Sequence, residues 1–164
     1  MKTILISPYS KKMRNGQNNP KNFPYWEEVL VSLYAEIEDI EIVQIGLLGE
    51  QCLSVHMFYE NLTQASLRAM IKNDMDVFMS VDNFFPHMCN YYAPEKRGVV
   101  VWSKSSPKIF GYKQNVNLLK SNKYLKQDQF EWWKDEPFDV DAFVSVPAVV
   151  KAVEKLYESC KKRN

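Results

Sequence analysis

Cationic and hydroxyl side chains concentrate in one stretch of the sequence, residues 7–22, which follows a short hydrophobic run. The stretch has no acidic residue, and its candidate ligand-binding side chains are Ser7, Ser10, Lys11, Lys12, Arg14 and Lys21. Ammonium, guanidinium and hydroxyl groups bind phosphate well, so this stretch suits a phosphate-containing ligand. A solvated basic loop is the alternative. The sequence has no G-x-G-x-x-G and no G-x-x-x-x-G-K-[ST] motif, which removes the main support for a dinucleotide or P-loop site.

Carboxylates and one histidine follow two later hydrophobic runs. Glu50 comes after the turn Gly46–Gly49. A carboxylate at that position can accept hydrogen bonds from a ribose or a base amine, although an exposed turn is the alternative. Asp82 and Asn83 stand where a strand is expected to end and a helix to begin, so Asp82 is either a ligand contact or the cap of that helix. His87, inside the expected helix, is either a site residue or an ordinary core histidine.

Further hydroxyls and cations follow the hydrophobic run at 98–102, in the segment 103–108. We take Ser103 and Ser106 as candidate phosphate contacts in that segment. No G-x-S-x-G motif is present, which argues against an α/β-hydrolase. The chain has only two histidines, which excludes a His-rich metal cluster, and we predict no metal site.

The elements that must position these groups are read from hydrophobic spacing. Predicted strands span residues 1–7, 41–47, 54–59, 76–81, 98–103 and 115–119, and predicted helices span 25–37, 62–73 and 83–92, with a closing helix from near Pro147. Residues 9–24 and 103–111 are predicted loops. Strands without clean alternation, separated by helices, indicate an α/β fold with a mostly parallel sheet covered on both faces. Ligands bind at the carboxyl ends of such strands, so all four polar segments should meet at one edge.

Length and charge limit the function further. The chain has 164 residues, which is the length of a single domain over 1–164, and a formal net charge of +1. This balance argues against bulk binding to nucleic acid or to an anionic membrane. The three cysteines form no C-x-x-C pair, and no run is long enough for a membrane span or a signal-peptide core. We therefore expect a protein of the reducing cytoplasm.

The net charge hides two blocks of opposite sign. Residues 1–26 sum to +5 without an acid, and residues 27–60 sum to −8 without a Lys or Arg. The first block includes the loop after the first strand, so we interpret it as a diphosphate site. The second block is interpreted largely as a solvated face, from which Glu50 alone reaches the binding edge.

Taken in order, the motifs resemble the C-terminal, nucleotide-sugar-binding half of the family 9 glycosyltransferases, the ADP-heptose:lipopolysaccharide heptosyltransferase-like group. The resemblance rests on a strand and loop ending in a K-x-W-P-type signature, a Gly-rich turn with a glutamate, a D-x-x-x-x-H segment, and a strand followed by an S-x-P loop. The matching stretches are 4–8, 21–26, 46–50, 61–76, 82–89 and 99–107. The match covers most of the chain in the correct order.

The resemblance implies a Rossmann-like domain, one half of a GT-B enzyme, that binds a nucleotide-diphospho-sugar as donor substrate without a further cofactor. It implies that Ser7 and Lys21 face the phosphates and that Glu50 faces the nucleoside. Asp82, Asn83 and His87 would lie at the sugar-diphosphate end. No catalytic residue is assigned, because in the resembled enzymes the other half supplies the catalytic base and binds the acceptor.

Two departures from the family pattern bear on this expectation. Phe84 and Ser103 stand where the family has glycines. A glycine lets backbone amides approach a diphosphate closely, and a phenylalanine side chain can block that approach.

The sequence thus supports three functions. The first is a glycosyltransferase-like donor-binding half, whose acceptor wall comes from a homodimer or a separate chain. The second is a non-catalytic nucleotide-binding or protein-interaction module on the same fold, to which the aromatic pairs Tyr91-Tyr92 and Trp132-Trp133 would contribute an interface. The third is a flavodoxin-like nucleotide-binding protein.

Overall fold

Six parallel strands form one sheet in the computed structural model, which describes residues 1–131, 133 and 136–161. The strands are β1 (Lys2–Ser7), β2 (Ile40–Gly46), β3 (Met57–Glu60), β4 (Val77–Val81), β5 (Arg97–Trp102) and β6 (Val116–Leu119). Their order across the sheet is β3-β2-β1-β4-β5-β6, and β1 pairs with both β2 and β4. The chain therefore runs outward from β1 to β3, crosses back, and runs outward again from β4. Such a reversal opens a crevice at the carboxyl ends of the two central strands.

Helices cover both faces of the sheet, which explains why the central strands lack alternation. The helices are α1 (Trp26–Glu36), α2 (Gln64–Asn73), α3 (Phe84–Tyr92), the single turn α4 (Pro107–Phe110) and α5 (Val146–Lys161), with 3-10 turns at Asn122–Tyr124 and Val140–Ala142. The consecutive residues Ile4, Leu5 and Ile6 of β1 are all fully buried. Ile4 and Ile6 belong to the core under α1 and α5, and Leu5 belongs to the core under α2 and α3.

Hydrophobic spacing sets the face that each helix buries. In α1, Trp26, Val29, Leu30 and Leu33 recur at helical spacing and are all buried. The indole of Trp26 also donates a hydrogen bond to the Pro8 carbonyl at 3.1 Å. This contact fixes the start of the long loop between β1 and α1, which carries the basic residues.

The predicted α/β fold with a parallel sheet is confirmed, and the predicted elements match to within about three residues at their ends. Two local interpretations were wrong. The segment 103–111 is not wholly loop, because Pro107 begins the short helix α4. Asp82 does not cap α3; the neighbouring Asn83 does, through its side-chain oxygen and the Phe85 amide. Trp132, of the predicted aromatic pair, lies outside the described residues, as do residues 162–164 of the predicted single domain.

Among the described residues, no helix is both long enough and apolar enough to cross a bilayer.

Cys89 is buried between helix and sheet, and burial raises the pKa of its thiol, as expected for a cysteine that serves as a small apolar core residue.

Candidate functional site

A lysine–aspartate ion pair lies at the crevice between β1 and β4. Lys21 Nζ, from the β1–α1 loop, is 2.7 Å from Asp82 Oδ2, which follows β4. The hydroxyl of Ser105, which follows β5, donates a hydrogen bond to the same carboxylate oxygen. The side chains of Lys21 and Asp82 keep only 20% and 9% of their surface exposed. Three separate loops thus contribute to one polar cluster, as the parallel topology predicts.

The β1–α1 loop is held so that Lys21 reaches Asp82. Ser10 donates its hydroxyl hydrogen to the Asp82 carbonyl at 2.8 Å, and its amide donates to Asn22 Oδ1 at 2.7 Å. Phe23, the next residue, packs edge-on against Trp26 with ring centroids 5.0 Å apart. Lys21 therefore precedes two anchored residues, and its ammonium group is positioned before any ligand arrives.

A cavity of about 410 Å³ opens above the ion pair. Lys21, Asp82, His87 and Ser105 line its polar side, and aromatic side chains that include Phe110, Phe130 and Trp133 line the other. The Lys21 ammonium lies 4.6 Å from the centre of the Trp133 ring, within the range of a cation–π contact. The cavity therefore combines a desolvated ion pair with an apolar wall, the combination usual for small-molecule sites.

The segment after β6 supplies Phe130 and Trp133 to that wall, and we did not predict it; Phe110 comes from α4. Gln129 fixes this segment: its amide oxygen accepts from the Ser106 amide at 2.7 Å, and its amide nitrogen donates to the carbonyls of Lys104 and Lys126. A parallel sixth strand must end at the same edge as the others. The strand predicted at 115–119 was therefore the signal that a fifth segment belongs to the site.

His87 lies on the cavity side of α3, and a tyrosine holds its ring. His87 Nδ1 is 2.8 Å from the hydroxyl of Tyr112, which is in the loop between α4 and β6. The two rings pack edge to face, with centroids 5.5 Å apart. His87 is therefore an exposed histidine with one anchored nitrogen, not the ordinary core histidine of the alternative interpretation.

Ser7 and Asn83, both predicted ligand contacts, join the end of β1 to the loop that follows β4. Asn83 Nδ2 donates to the Ser7 hydroxyl at 2.9 Å and to the carbonyls of Ser7 and Tyr9. Its amide oxygen accepts from the amide of Phe85 and the hydroxyl of Ser80. Ser7 is only 2% exposed and does not line the cavity.

Ser103 and Ser106, the predicted phosphate contacts after β5, also bond to other parts of the protein. The Ser103 hydroxyl donates to the Pro20 carbonyl at 2.8 Å, and Ser103 is 1% exposed. Ser106 is the residue before α4, and its amide donates to the side-chain oxygen of Gln129. The cavity-lining hydroxyl of this segment is that of Ser105, between them. The sequence identified this segment, but it did not indicate which of its serines faces the cavity.

Glu50 lies on the other side of the crevice, after β2, and does not line the cavity that contains Lys21. Buried Gln44 holds this loop with both ends of its amide, through the Gln51 carbonyl and the Leu53 amide. Burial raises the pKa of Glu50, the backbone of Leu47 opposes this by hydrogen bonding, and the charge of Glu60 adds to it. Together with burial, the charges of Glu27 and Glu50 help raise the pKa of Tyr9 to about 12.

The raised pKa of Glu50 predicts a stability effect. Over the interval between the ordinary glutamate pKa and the raised one, the folded chain binds more protons than the unfolded chain, so stability falls as pH rises through it. Glu50→Gln should therefore raise the melting temperature at neutral pH. The gain should vanish in acid, below the ordinary glutamate pKa of about 4.3. Thermal unfolding across pH measures it, with the exposed Glu95→Gln as control; an unchanged or lower melting temperature at neutral pH would contradict the assignment.

Phe84 does not block the cavity that contains Lys21. It is the first residue of α3 and 47% exposed, and it lines a separate apolar pocket of about 360 Å³ with Leu47, Tyr59 and Leu62 among others. The start of α3 is nevertheless a poor anion site. Asn83 already accepts the Phe85 hydrogen, and Pro86 has no N–H to donate. A phosphate here would depend mainly on side-chain donors.

Within residues 1–131, 133 and 136–161, no three His, Cys, Asp or Glu side chains gather closely enough to hold a metal ion. The polar groups that line the cavity are instead the Lys21 ammonium, the Asp82 and Glu131 carboxylates, the Ser105 hydroxyl, the His87 imidazole and the Gln129 amide. This set donates and accepts hydrogen bonds, and it can bind an anion and a neighbouring hydroxyl group at the same time.

Comparison with known proteins gives similarity in structure only. No protein-family model matches the sequence, and no curated protein matches it either. Among solved structures, a glycosyl transferase of family 9 from Veillonella parvula superposes with a TM-score of 0.67 at 17% identity, over 96% of this chain and 46% of that one. The dodecameric iron-containing heptosyltransferase TibC, solved with ADP-D-beta-D-heptose, superposes with a TM-score of 0.66 at 13% identity, over 97% of this chain and 46% of that one.

The chain thus spans about half the length of the solved structures that it matches. At these identities the likeness establishes the fold. The chain has the Rossmann-like α/β fold of one half of a GT-B glycosyltransferase.

Proposed function

We propose that the chain binds a nucleotide-diphospho-sugar at the carboxyl edge of its sheet and serves as the donor-binding half of a glycosyltransferase. The observation that carries this proposal is the Lys21–Asp82 pair, placed at the crevice between β1 and β4 and facing a cavity of about 410 Å³. The fold of the chain is that of half a glycosyltransferase, which favours a sugar donor over other phosphate ligands.

The ion pair suits the junction between a sugar and a diphosphate. An ammonium group has three donors, and Asp82 occupies one of those of Lys21. The remaining donors can bind phosphate oxygens and stabilise the charge of the leaving diphosphate. Asp82 Oδ2 accepts from Lys21 and Ser105, while its second oxygen can accept a sugar hydroxyl.

The nucleoside would extend toward β2. Glu50 is the acceptor on that side, and a carboxylate kept half-buried with a raised pKa is suited to accept hydrogen bonds from ribose hydroxyls. The apolar pocket that Phe84 lines also includes Gly46 and Leu47, so it offers an apolar surface for a base on the same side of the crevice. Ser7, Asn83, Ser103 and Ser106 shape this edge in the proposal but do not contact the ligand.

A transfer reaction needs an acceptor site, which a donor half does not supply. A second copy of this chain or a separate acceptor-binding chain would provide that wall and exclude water from the donor. The proposal requires no metal and no cofactor other than the donor substrate.

Isothermal titration with a panel of ADP-, UDP- and GDP-sugars tests the proposal. At least one should bind with a dissociation constant below about 1 mM. The double variant Lys21→Ala/Asp82→Ala should abolish that binding, while Lys151→Ala, which removes an exposed lysine of α5, should leave it unchanged. Absence of binding to every member of the panel at millimolar concentration would refute the proposal.

A protein-interaction module is the second candidate, favoured by the apolar side chains exposed along the binding edge. Leu48 is 76% exposed and Phe130 is 78% exposed, and Phe84 and Ile109 are each about half exposed. If the double variant keeps its nucleotide-sugar affinity, and Leu48→Asp or Phe130→Asp abolishes self-association, the interaction module is the better account. Analytical ultracentrifugation provides that second readout.

A further inference from the structure

We propose that Tyr112 is a positioning residue: its hydroxyl donates to His87 Nδ1 and thereby presents a protonated Nε2 to the cavity as a donor for an anionic oxygen. The inference rests on the proposed function for the identity of that anion, a diphosphate. Neither Tyr112 nor its loop belongs to the motifs found in the sequence. The starting observation is the 2.8 Å contact between the Tyr112 hydroxyl and His87 Nδ1.

The direction of this hydrogen bond follows from acid–base chemistry. A phenol, with a pKa of about 10, is a much stronger acid than a neutral imidazole N–H, and an imidazole nitrogen is a better acceptor than a phenol oxygen. The favoured arrangement is therefore O–H from Tyr112 to Nδ1 of His87. The neutral ring must then carry its proton on Nε2.

The backbone of Tyr112 is fixed independently of His87. Asn117 Nδ2 donates to the Tyr112 carbonyl at 2.9 Å, and Asn117 Oδ1 accepts from the Trp102 indole at 3.0 Å. The preceding Gly111 is packed so closely that an added Cβ would lie 2.5 Å from the Pro107 carbonyl oxygen. A chain of contacts thus runs from the buried end of β5 through β6 to the histidine, which is what a positioning role requires.

This arrangement has a consequence for ligand binding. A neutral imidazole with Nδ1 occupied can donate from Nε2 without first being protonated, so it can contact an anion at neutral pH. His87 and Lys21 line the same cavity, and the start of α3 has few amides to offer. The imidazole would supply the donor that the helix terminus does not.

The other histidine provides an internal control. Tyr34 packs against His56 with centroids 5.4 Å apart at 75°, almost the geometry of Tyr112 against His87, at 5.5 Å and 76°. However, the Tyr34 hydroxyl donates to the Ser54 carbonyl, and His56 Nδ1 accepts from the Ile42 amide. Tyr34→Phe therefore makes the same chemical change beside a histidine without removing a hydrogen bond from that histidine.

Nitrogen-15 NMR of the imidazoles, with both rings neutral, tests the inference on the whole chain without any ligand. We expect His87 and His56 to carry their protons on Nε2. Tyr112→Phe should move the Nδ1 shift of His87 away from its hydrogen-bonded value and populate the Nδ1–H tautomer, while His56 stays unchanged. Tyr34→Phe should alter neither tautomer. A wild-type His87 protonated on Nδ1, or a His87 spectrum that Tyr112→Phe leaves unchanged, would overturn the inference.

Titration with inorganic pyrophosphate provides the functional readout. Loss of one positioned hydrogen bond should weaken binding to Tyr112→Phe by about 3- to 10-fold, with no change for Tyr34→Phe. Equal affinities of wild type and Tyr112→Phe would contradict the positioning role. If the wild-type chain binds no pyrophosphate while the NMR result holds, the positioning of His87 is supported and the proposed diphosphate ligand is wrong.

Discussion

Replacing Asn83 by alanine is expected to lower the free energy of unfolding by about 2–4 kcal/mol. The change removes the N-cap of α3, a loss of about 1 kcal/mol. It also removes the donor that joins Ser7, the last residue of β1, and Tyr9 to the loop after β4. Each buried hydrogen bond contributes about 1 kcal/mol, and the carbonyls left without Asn83 add a further penalty.

Thr63→Ala is the matched control for this prediction. Thr63 caps α2 by accepting from the Ser66 amide at 3.1 Å, but among the described residues its side chain bonds only to Ser66 and joins no second loop. Chemical denaturation should therefore show a loss of about 1 kcal/mol for Thr63→Ala and a clearly larger loss for Asn83→Ala. If the two losses are equal, the bridging contacts of Asn83 contribute nothing and its role is that of a simple cap.

Replacing Lys21 by methionine should weaken nucleotide-sugar binding by about 10- to 100-fold, the effect of losing one charge-assisted hydrogen bond. It should also lower the free energy of unfolding by about 1–3 kcal/mol, because the Asp82 carboxylate is left without its counter-ion. Breaking a fully buried pair lowers it by about 3–5 kcal/mol. The smaller figure follows from the 20% exposure of the Lys21 side chain.

A second substitution separates the two effects. In Lys21→Met/Asp82→Asn the buried charge is gone, so most of the stability should return while the affinity stays low. Lys151→Met, on the exposed surface of α5, should alter neither quantity. Recovery of affinity in the double variant would mean that Lys21 serves only to neutralise Asp82 and does not contact the ligand.

The fold was predictable because most strands and helices show the hydrophobic spacing that their burial requires. Val99, Val100 and Val101 of β5 show the continuous burial of a strand covered on both faces, and α1 shows the spacing of a helix buried on one face. The order of the strands was not predictable from these patterns. β1 pairs with β2 on one side and with β4 on the other, and nothing in the sequence of β1 indicates that this second partner is β4 and not β3.

The site was predictable to the level of segments but not of side chains. Lys21, Asp82 and His87 do meet in one cavity, since each lies on a loop at the carboxyl edge. Ser7 and Ser103 face the protein because their hydroxyls bond to Asn83 and to the Pro20 carbonyl. These partners are more than 70 residues away in the sequence, so no local pattern indicates them. No sequence motif marks Gln129 or Tyr112 as a site residue. Gln129 bonds to Ser106 and Tyr112 bonds to His87 only because β6 and α4 bring them to this edge of the sheet.

The sequence also predicted the cationic character of the loop after β1, and the structure refines this interpretation. Lys11, Lys12 and Arg14 lie at the exposed outer part of the loop, whereas Lys21 lies next to Asp82. The cavity is therefore not a simply cationic site. The desolvated Lys21 ammonium is oriented by the Asp82 carboxylate, which favours a ligand with an anionic group beside a hydroxyl-rich one.

Backbone amide NMR of the whole chain, titrated with ADP-, UDP- and GDP-sugars to about millimolar concentration, tests the central claim most directly, because it reports both binding and location. We expect one of these ligands to shift the amides of residues 21–22, 82–85, 87–88 and 104–106, at the carboxyl edge of the sheet. Spectra that no member of the panel changes, or shifts confined to the opposite edge of the sheet, would contradict it.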